Sequence, residues 1–289
     1  MTLGVHAHAQ LTLIVLLMTV SSPSMGADDQ VQTHSRQRAW AVLNGGLEDA
    51  KPNKRTEAVK ALSLLSGERS AVKLAIHALQ DENVSVRTSA AATLGQLHAN
   101  NAIPDLKAVL SDKDISVVLS ATHSLFLLKD KSAYGIYYAI LMKDKKSSAG
   151  PIQAQLDRLK DPKQVAVLGA QEGLGFVPFG GMGLEAYRAI QNKDSAPVRA
   201  AAARFLALDP DPVSGDALIQ SALADSNDVV RMAALDALAE RGDPVCIERL
   251  LKNLADSKPG VRYRTAAVIL HLDDVAKSRR PKASPPRKR

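Results

Sequence analysis

One short motif recurs along the chain at intervals of 31 or 32 residues, and this repeat limits the possible folds more than any other feature. The motif has an Asp, a short spacer, a Val-Arg pair, and then small and apolar residues that end in Leu or Ile. Its clear copies are Val86–Leu94, Val198–Leu206, Val230–Leu238 and Val261–Ile269, and its weaker copies are Lys54–Leu62 and Val117–Leu125. A period of this length is typical of proteins that stack copies of one structural unit.

The spacing of apolar residues inside each copy predicts a helix. Counted from the Arg position, small or apolar residues lie near +3, +4 and +7, which is one face of an α-helix. A second apolar segment follows in four of the copies, at Ala71–Leu79, Ala102–Leu110, Ala217–Leu223 and Val245–Leu254. One such helix pair cannot bury its apolar face alone, so the pairs must stack. The sequence therefore predicts an all-α fold, an α-solenoid of about six to eight helix pairs with an irregular middle.

The repeat is regular in two blocks. Val118 and Arg199 occupy equivalent motif positions on either side of the middle, and they are 81 residues apart. We therefore expect an N-terminal signal peptide, two repeat blocks, an irregular connector with a Gly/Phe-rich segment, and a disordered basic tail. The signal peptide is expected at 1–27 and the two repeat blocks at 28–142 and 194–276. The connector is expected at 143–193 and the tail at 277–289. The sequence leaves open whether the two blocks form one continuous superhelix.

An Asp precedes the first helix of most pairs, and an Arg lies one turn into that helix. A carboxylate in such a turn can accept hydrogen bonds from free backbone N–H groups and favours the positive end of the helix. The Arg can reach an Asp of its own turn or of the next one, so these residues are expected to form a structural ladder that fixes the register of the repeats. The expected members are Asp81, Arg87, Asp194, Arg199, Asp225, Arg231, Asp256 and Arg262. A row of metal ligands or catalytic acids is the alternative, but the carboxylates are spread over many turns.

The motifs resemble HEAT repeats of the short type first described in phycobilisome lyase subunits, over residues 50–128 and 194–272. The arrangement also resembles exported bacterial HEAT-repeat proteins. The residues that carry this resemblance are Ala39-Trp40, the Gly-Leu-Gly-Phe-Val-Pro-Phe-Gly-Gly-Met-Gly segment at 173–183, and Arg241–Pro244. The resemblance implies an armadillo/HEAT-like superhelix that acts as a scaffold. A few similar proteins are enzymes, namely chromophore lyases, an iron-dependent hydroxylase and a DNA glycosylase. The hydroxylase type uses His-Glu pairs as iron ligands, and none of the seven histidines here precedes a Glu.

The irregular middle holds most of the aromatic residues. Seven of the ten lie between 126 and 187, and aromatic side chains with a polar group are favoured at protein interfaces. The candidate partner-binding residues are Tyr134, Tyr137, Tyr138, Phe176 and Phe179. The alternative is that these rings fill space between mismatched repeats. The Gly/Phe-rich segment is interpreted either as a tight crossover between the blocks or as an exposed apolar loop.

Charge is concentrated in the tail. Residues 277–289 carry seven basic and no acidic side chains, so the rest of the chain has 30 of each. A body without net charge gives no reason to expect specific nucleic-acid binding. The Lys277–Arg289 tail could bind anionic envelope polymers or lipid headgroups, or it could act only as a solubilising end.

The pattern of the N-terminal residues predicts an export signal. Residues 1–26 have no charged side chain, and an apolar run at 11–20 precedes small residues, with cleavage expected after Gly26 or Ala27. An uncleaved anchor is the alternative, although the run is short for ~30 Å of hydrocarbon. The protein is therefore expected to be periplasmic or secreted.

The sequence contains no recognisable catalytic, cofactor-binding or metal-binding motif. Its one cysteine, Cys246, is expected to be a small core residue. The expected function is a scaffold for protein–protein interaction in the cell envelope, with no enzyme activity of its own. Two alternatives remain. The protein associates with the envelope or membrane surface through the tail and the Gly/Phe loop, or it is an accessory subunit of a lyase or another enzyme.

Overall fold

The structure is a computed structural model that describes residues 27–134 and 196–279. Within these ranges the chain forms helices joined by short turns, and no strand. The helices of the N-terminal range are α1 (Ala27–Leu47), α2 (Pro52–Ala61), α3 (Arg69–Ala78), α4 (Val84–Gln96), α5 (Ile103–Ala108) and α6 (Ile115–Leu127). The helices of the C-terminal range are α7 (Ala196–Leu206), α8 (Pro212–Ala224), α9 (Asp228–Arg241), α10 (Ile247–Leu250) and α11 (Pro259–Arg279). Short 3-10 turns lie at Leu62–Leu64, Asn100–Ala102, Val109–Ser111, Pro244–Cys246 and Leu251–Ala255.

These elements form the predicted helix pairs, which confirms the all-α solenoid. The first helices of the pairs are α2, α4, α6, α7, α9 and α11, and each carries one copy of the Val-Arg motif or its weaker form. The second helices are α3, α5, α8 and α10, and 3-10 turns extend α5 and α10 at both ends. The core is made mainly of Ala, Leu and Val side chains with almost no aromatic rings. Small side chains let neighbouring first helices pack closely, because the packing distance between helices depends on the residues at the contact.

Hydroxyl groups join neighbouring first helices through buried hydrogen bonds. Thr93 on α4 donates to the carbonyl of Val59 on α2 over 3.2 Å, and Ser124 on α6 donates to the carbonyl of Ala91 over 2.7 Å. Gly95 permits this contact, since a Cβ there would lie 2.5 Å from the Ser124 hydroxyl oxygen. These two hydroxyl groups in the helix–helix contacts are therefore paired, as buried polar groups usually are.

The two blocks meet through the ends of the chain. Helix α11, the last of the C-terminal block, packs against α1 and α2, the first two of the N-terminal block. Helix α1 takes the place of the second helix that would follow α11. The order in space is therefore α7–α8, α9–α10, α11–α1, α2–α3, α4–α5 and α6, and the two blocks form one continuous stack. We call the contact of α11 with α1 and α2 the seam.

The structure shifts one predicted segment boundary, and other predicted segments lie outside the residues that it describes. The predicted tail begins at 277, but α11 continues to Arg279, and Lys277 Nζ donates to Asp273, one turn earlier, over 2.6 Å. The start of the tail is therefore helical, because the i,i+4 pair with Asp273 extends the last turn. The predicted signal peptide at 1–27 lies outside the described residues except for Ala27, where α1 begins. The connector at 143–193 and the residues from 280 onward also lie outside them. None of the described helices is both long and apolar enough to span a membrane.

Candidate partner-binding groove at the seam

The Arg of the motif joins two successive turns of the stack. Arg87 donates from Nε and Nη2 to the two carboxylate oxygens of Asp112, over 2.8 and 3.0 Å. Its Nη1 donates to the backbone carbonyls of Asp81 and Glu82 in its own turn, over 2.9 and 3.0 Å. The guanidinium therefore holds its own turn through carbonyls and the next turn through a carboxylate, in the planar bidentate geometry that Arg favours.

Three further Arg–Asp pairs join successive turns. The pairs are Arg55–Asp81, Arg199–Asp225 and Arg231–Asp256, with closest N–O distances of 2.7, 3.0 and 3.3 Å. Arg55 and Arg199 bind both oxygens of their Asp as Arg87 does, whereas Arg231 donates to Asp256 from Nη2 alone. A hydrogen bond from Arg199 lowers the pKa of Asp225 below its ordinary value. Asp194, the remaining acid of the expected ladder, lies outside the described residues.

The turn Asp is not itself the helix cap. Asp81 accepts a hydrogen bond from the N–H of Asn83 over 2.8 Å, and Asn83 in turn caps α4 by accepting from the N–H of Ser85 over 3.0 Å. The same relay occurs at Asp225 and Asn227, which caps α9. The Asp therefore orders the turn before the cap and also accepts hydrogen bonds from the Arg of the preceding repeat on both of its oxygens.

The seam is joined by other residues. Arg262 on α11 donates to the carbonyl of Asp256 over 2.6 Å and lies over the ring of Tyr263. The equivalent turn Asp of the next pair in space is Asp49, and its carboxylate accepts from Lys54 over 2.7 Å. No hydrogen bond between Arg262 and Asp49 occurs in the part of the chain that the structure describes.

A cluster around Arg36 connects the two ends of the chain at the seam. Its guanidinium on α1 lies 2.9 Å from Asp273 and 2.7 Å from Asp274, both on α11, and 2.8 Å from Glu68, which precedes α3. Asp273 is only 2% exposed. Sequence reasoning missed this cluster, because these residues belong to no repeated motif and only the folded chain brings them together.

A groove of about 610 Å³ lies on the side of the seam formed by the first helices. It is lined by residues in or just before α2, α4, α9 and α11, which come from both blocks. The lining residues are Pro52, Asn53, Thr56, Glu57, Lys60, Asn83, Ser85, Ser89, Asp228, Met232, Lys258, Pro259, Gly260 and Val261. We call this feature the seam groove. Gly260 allows the close approach that shapes it, since a Cβ there would lie 3.0 Å from Glu57 Oε2 and 3.1 Å from Met232 Sδ.

Several polar side chains of the seam groove are not used by the fold. Thr56 donates to the Pro52 carbonyl and Lys60 pairs with Glu57. By contrast, five lining side chains make no hydrogen bond to any described residue, namely those of Asn53, Ser85, Ser89, Asp228 and Lys258. Ser89 is only 8% exposed. The groove therefore offers donors and acceptors of both charge signs, which suits a polar ligand such as a polypeptide segment.

The one described residue of the predicted aromatic site lies at the other end of the N-terminal block. Tyr134 follows α6, is 47% exposed, and contacts Phe126 edge-on with ring centroids 5.9 Å apart. Phe126 stacks on His123, whose pKa is lowered by burial. Tyr137, Tyr138, Phe176 and Phe179 lie outside the described residues. The structure thus places Tyr134 away from the groove at the seam.

The described residues contain no cluster of three or more His, Cys, Asp or Glu side chains placed to bind a metal. Cys246 is buried in the core, and burial raises the pKa of its thiol to about 12. A thiol in this environment is not ionised at neutral pH and is a poor nucleophile.

No curated protein sequence matches this chain. Among solved structures, the chain is similar to the complex of CpcE and CpcF of phycocyanin lyase from Nostoc sp. PCC7120, with 22% identity, a TM-score of 0.33, and coverage of 80% of this chain and 94% of that one. It is also similar to human deoxyhypusine hydroxylase, with 18% identity, a TM-score of 0.30, and coverage of 88% and 92%.

A family model described as HEAT repeats matches residues 41–125 and 185–270, which together make up more than half of the chain. Both matched ranges contain the Val-Arg motifs and the helix pairs described above. This chain belongs to the HEAT-repeat family.

Proposed function

We propose that this protein is an exported scaffold of the cell envelope that holds a segment of a partner protein in the seam groove. HEAT repeats favour a role in protein interaction, and the seam groove is the observation that supports this site. Four helices from both blocks line it, so a partner bound there contacts both halves of the stack. The five side chains without a partner in the described residues are available to the backbone and polar side chains of an extended segment.

Site-specific photo-crosslinking in cells tests this proposal. A photoreactive amino acid at Asn53 or Ser85 places the probe in the groove, and Lys73 on α3 is an exposed control position outside the groove lining. We expect both groove positions to give the same discrete crosslinked species and Lys73 to give none. Equal crosslinking from all three positions, or none from the groove, would contradict the groove as the binding site.

Export is tested separately. The signal peptide predicts that the protein recovered from the periplasm or medium begins after Gly26 or Ala27. Intact-mass measurement of this fraction checks the cleavage, and a full-length mass found only in the cytoplasm would overturn export without affecting the groove.

A second candidate surface is the exposed aromatic pair at the end of the N-terminal block. Tyr134 and Phe126 are both more than 40% exposed, although they contact each other. Recovery of a partner from an envelope extract is expected to fall for the Tyr134→Ala/Tyr137→Ala/Tyr138→Ala variant. Equal recovery with the unmodified protein would remove this surface from consideration.

A further inference from the structure

Four exposed apolar side chains lie near the α7–α8 and α9–α10 turns. Phe205, Leu208, Val213 and Val245 are between 72% and 81% exposed. We call them the apolar edge. Val213 and Val245 are equivalent residues of successive repeats, because each follows a Pro and donates its N–H to the capping Asp two residues earlier, over 2.9 and 3.1 Å. Exposed apolar surface of this kind commonly marks an interaction site.

Contacts between the turns place these residues on one side of the stack. Arg241, at the end of α9, donates to the carbonyls of Leu206 and Asp211, each over 3.0 Å. The α9–α10 turn therefore lies against the α7–α8 turn. The end of α11 lies beside them, since a Cβ on Gly242 would be 3.6 Å from Arg279 Nη2 and 3.8 Å from Val275.

The apolar edge carries negative charge in the same turns. Asp209, Asp211 and Asp243 each accept a backbone N–H two residues later, which fixes their carboxylates there. Arg241, which lies between these turns, directs its guanidinium to backbone carbonyls and forms no hydrogen bond to these three carboxylates in the described residues. Three carboxylates next to exposed apolar side chains suit a basic segment that also carries apolar groups.

The chain continues from α11 at this point with a segment of that composition. Residues 280–289 contain five basic residues, three prolines and no acid. Ten residues reach at most about 33 Å when extended, and neighbouring helices in a stack are about 10 Å apart. The segment therefore has the length to pass Val245 and reach Val213 from Arg279.

We propose that residues 280–289 bind the apolar edge of their own chain, with the basic side chains at Asp209, Asp211 and Asp243 and the prolines against Val213 and Val245. The tail then covers exposed apolar surface and neutralises the carboxylates beside it. This inference is independent of the seam groove, which lies on other residues.

An intramolecular crosslink tests this proposal on the full chain. Ser284→Cys gives one accessible thiol, because the native Cys246 is buried, and a benzophenone attached there crosslinks to whatever surface it contacts. We expect a product of monomer mass, with crosslinks that mass spectrometry locates in 205–213 and at 245. The yield is expected to fall at about 1 M NaCl, where the Debye length is only ~3 Å.

Charge removal gives the decisive comparison. Asp209→Asn/Asp211→Asn/Asp243→Asn keeps side chains that can cap and order the turns. We expect it to lower the crosslink yield roughly eightfold, since each weak ion pair contributes a factor of about two. Glu48→Gln/Glu82→Gln/Asp105→Asn removes the same charge from the N-terminal block and is expected to leave the yield unchanged. Crosslinks to a second molecule, crosslinks elsewhere on the chain, or equal yields from both triple variants would overturn the proposal.

Discussion

The guanidinium of Arg36 lies 2.9 Å from the carboxylate of Asp273, although 237 residues separate them in the chain. Arg36 also contacts Asp274 on α11 and Glu68 beside α3. One basic side chain on α1 thus connects α11 to the α2–α3 pair of the N-terminal block. The seam has this cluster where the other neighbouring pairs have an Arg–Asp bridge of the ladder.

Replacing Arg36 by Met is expected to weaken the seam. The change leaves Asp273 buried with only Lys277 as a charged partner, and loss of one member of a partly buried ion pair costs about 2–3 kcal/mol. Urea unfolding followed by circular dichroism measures the free energy of unfolding. Arg38→Met, on the same helix at an exposed position, is expected to change it by less than ~0.5 kcal/mol. Equal losses for both variants would contradict a specific role for Arg36.

Gly45 and Gly46 are adjacent on α1, and we expect Ala to have opposite effects at the two positions. A Cβ on Gly46 would lie 2.5 Å from Tyr263 Cε1, whereas a Cβ on Gly45 meets no atom within 4 Å. Gly46→Ala is therefore expected to destabilise the protein by about 1–3 kcal/mol through overpacking. Gly45→Ala is expected to stabilise it by about 0.5–1 kcal/mol, since Ala favours the helix.

The Tyr263→Leu background identifies the cause of the Gly46 effect. If Tyr263 is the obstacle, Gly46→Ala will cost clearly less in that background, and thermal unfolding of the four proteins of the double-mutant cycle measures the difference. A cost that stays the same would mean that Tyr263 is not the obstacle and that Ala58, whose Cβ would lie 2.9 Å away, is.

Arg87 and Arg249 each form an ion pair with an Asp, but of these two pairs only the Arg87 pair is buried. Their side chains are 7% and 50% exposed. Arg87→Met removes the guanidinium that donates to the Asp112 carboxylate and to two backbone carbonyls, so a loss of about 3–5 kcal/mol is expected. Arg249→Met removes an exposed pair and is expected to cost less than ~1 kcal/mol. Comparable losses in urea unfolding would show that the buried bridges do not fix the repeats.

Protonation of Asp130 at acid pH is expected to lower the free energy of unfolding of the N-terminal block. Hydrogen bonds from Ser132 and Lys107 lower the pKa of its carboxyl from 3.8 to about 2. A carboxyl with a lowered pKa in the folded state stabilises the fold fully above its unfolded value, and this stabilisation is lost as the pH falls from about 4 towards 2.

The Asp130→Asn variant is therefore expected to be less stable than the unmodified protein at pH 7, with a difference that shrinks at pH 2–3. Urea unfolding at the two pH values measures this. Ser132→Ala removes the largest cause of the shift, so NMR titration of the Asp130 carboxyl is expected to show a higher pKa. A pKa that does not change would contradict the assigned cause.

The helix pairs were predictable from the sequence because their signals are local. Apolar spacing in Val86–Leu94 and Val230–Leu238 defines a helical face wherever the segment lies, and these segments are helical in α4 and α9. The turn chemistry was less predictable in detail. The Asp of the motif orders the turn and Asn83 or Asn227 supplies the cap, because the cap depends on backbone geometry that an Asp-rich turn alone does not specify.

The candidate groove was not predictable, and of the predicted aromatic residues the structure describes only Tyr134. Asn53 and Lys258 are 205 residues apart, and neither belongs to a functional motif. They line one groove only because α11 packs against α2. The candidates Tyr137, Tyr138, Phe176 and Phe179 stay predictions.

The sequence by itself determined the repeating unit, since the 3.6-residue periodicity and the 31–32-residue period act within each helix pair. Only the tertiary structure decided which pairs are neighbours. A repeat stacks on any surface of the right shape, so the motif does not encode that α1 completes the pair begun by α11. That choice depends on Gly46 admitting Tyr263 and on Arg36 meeting Asp273, contacts that form only when the two ends of the chain come together.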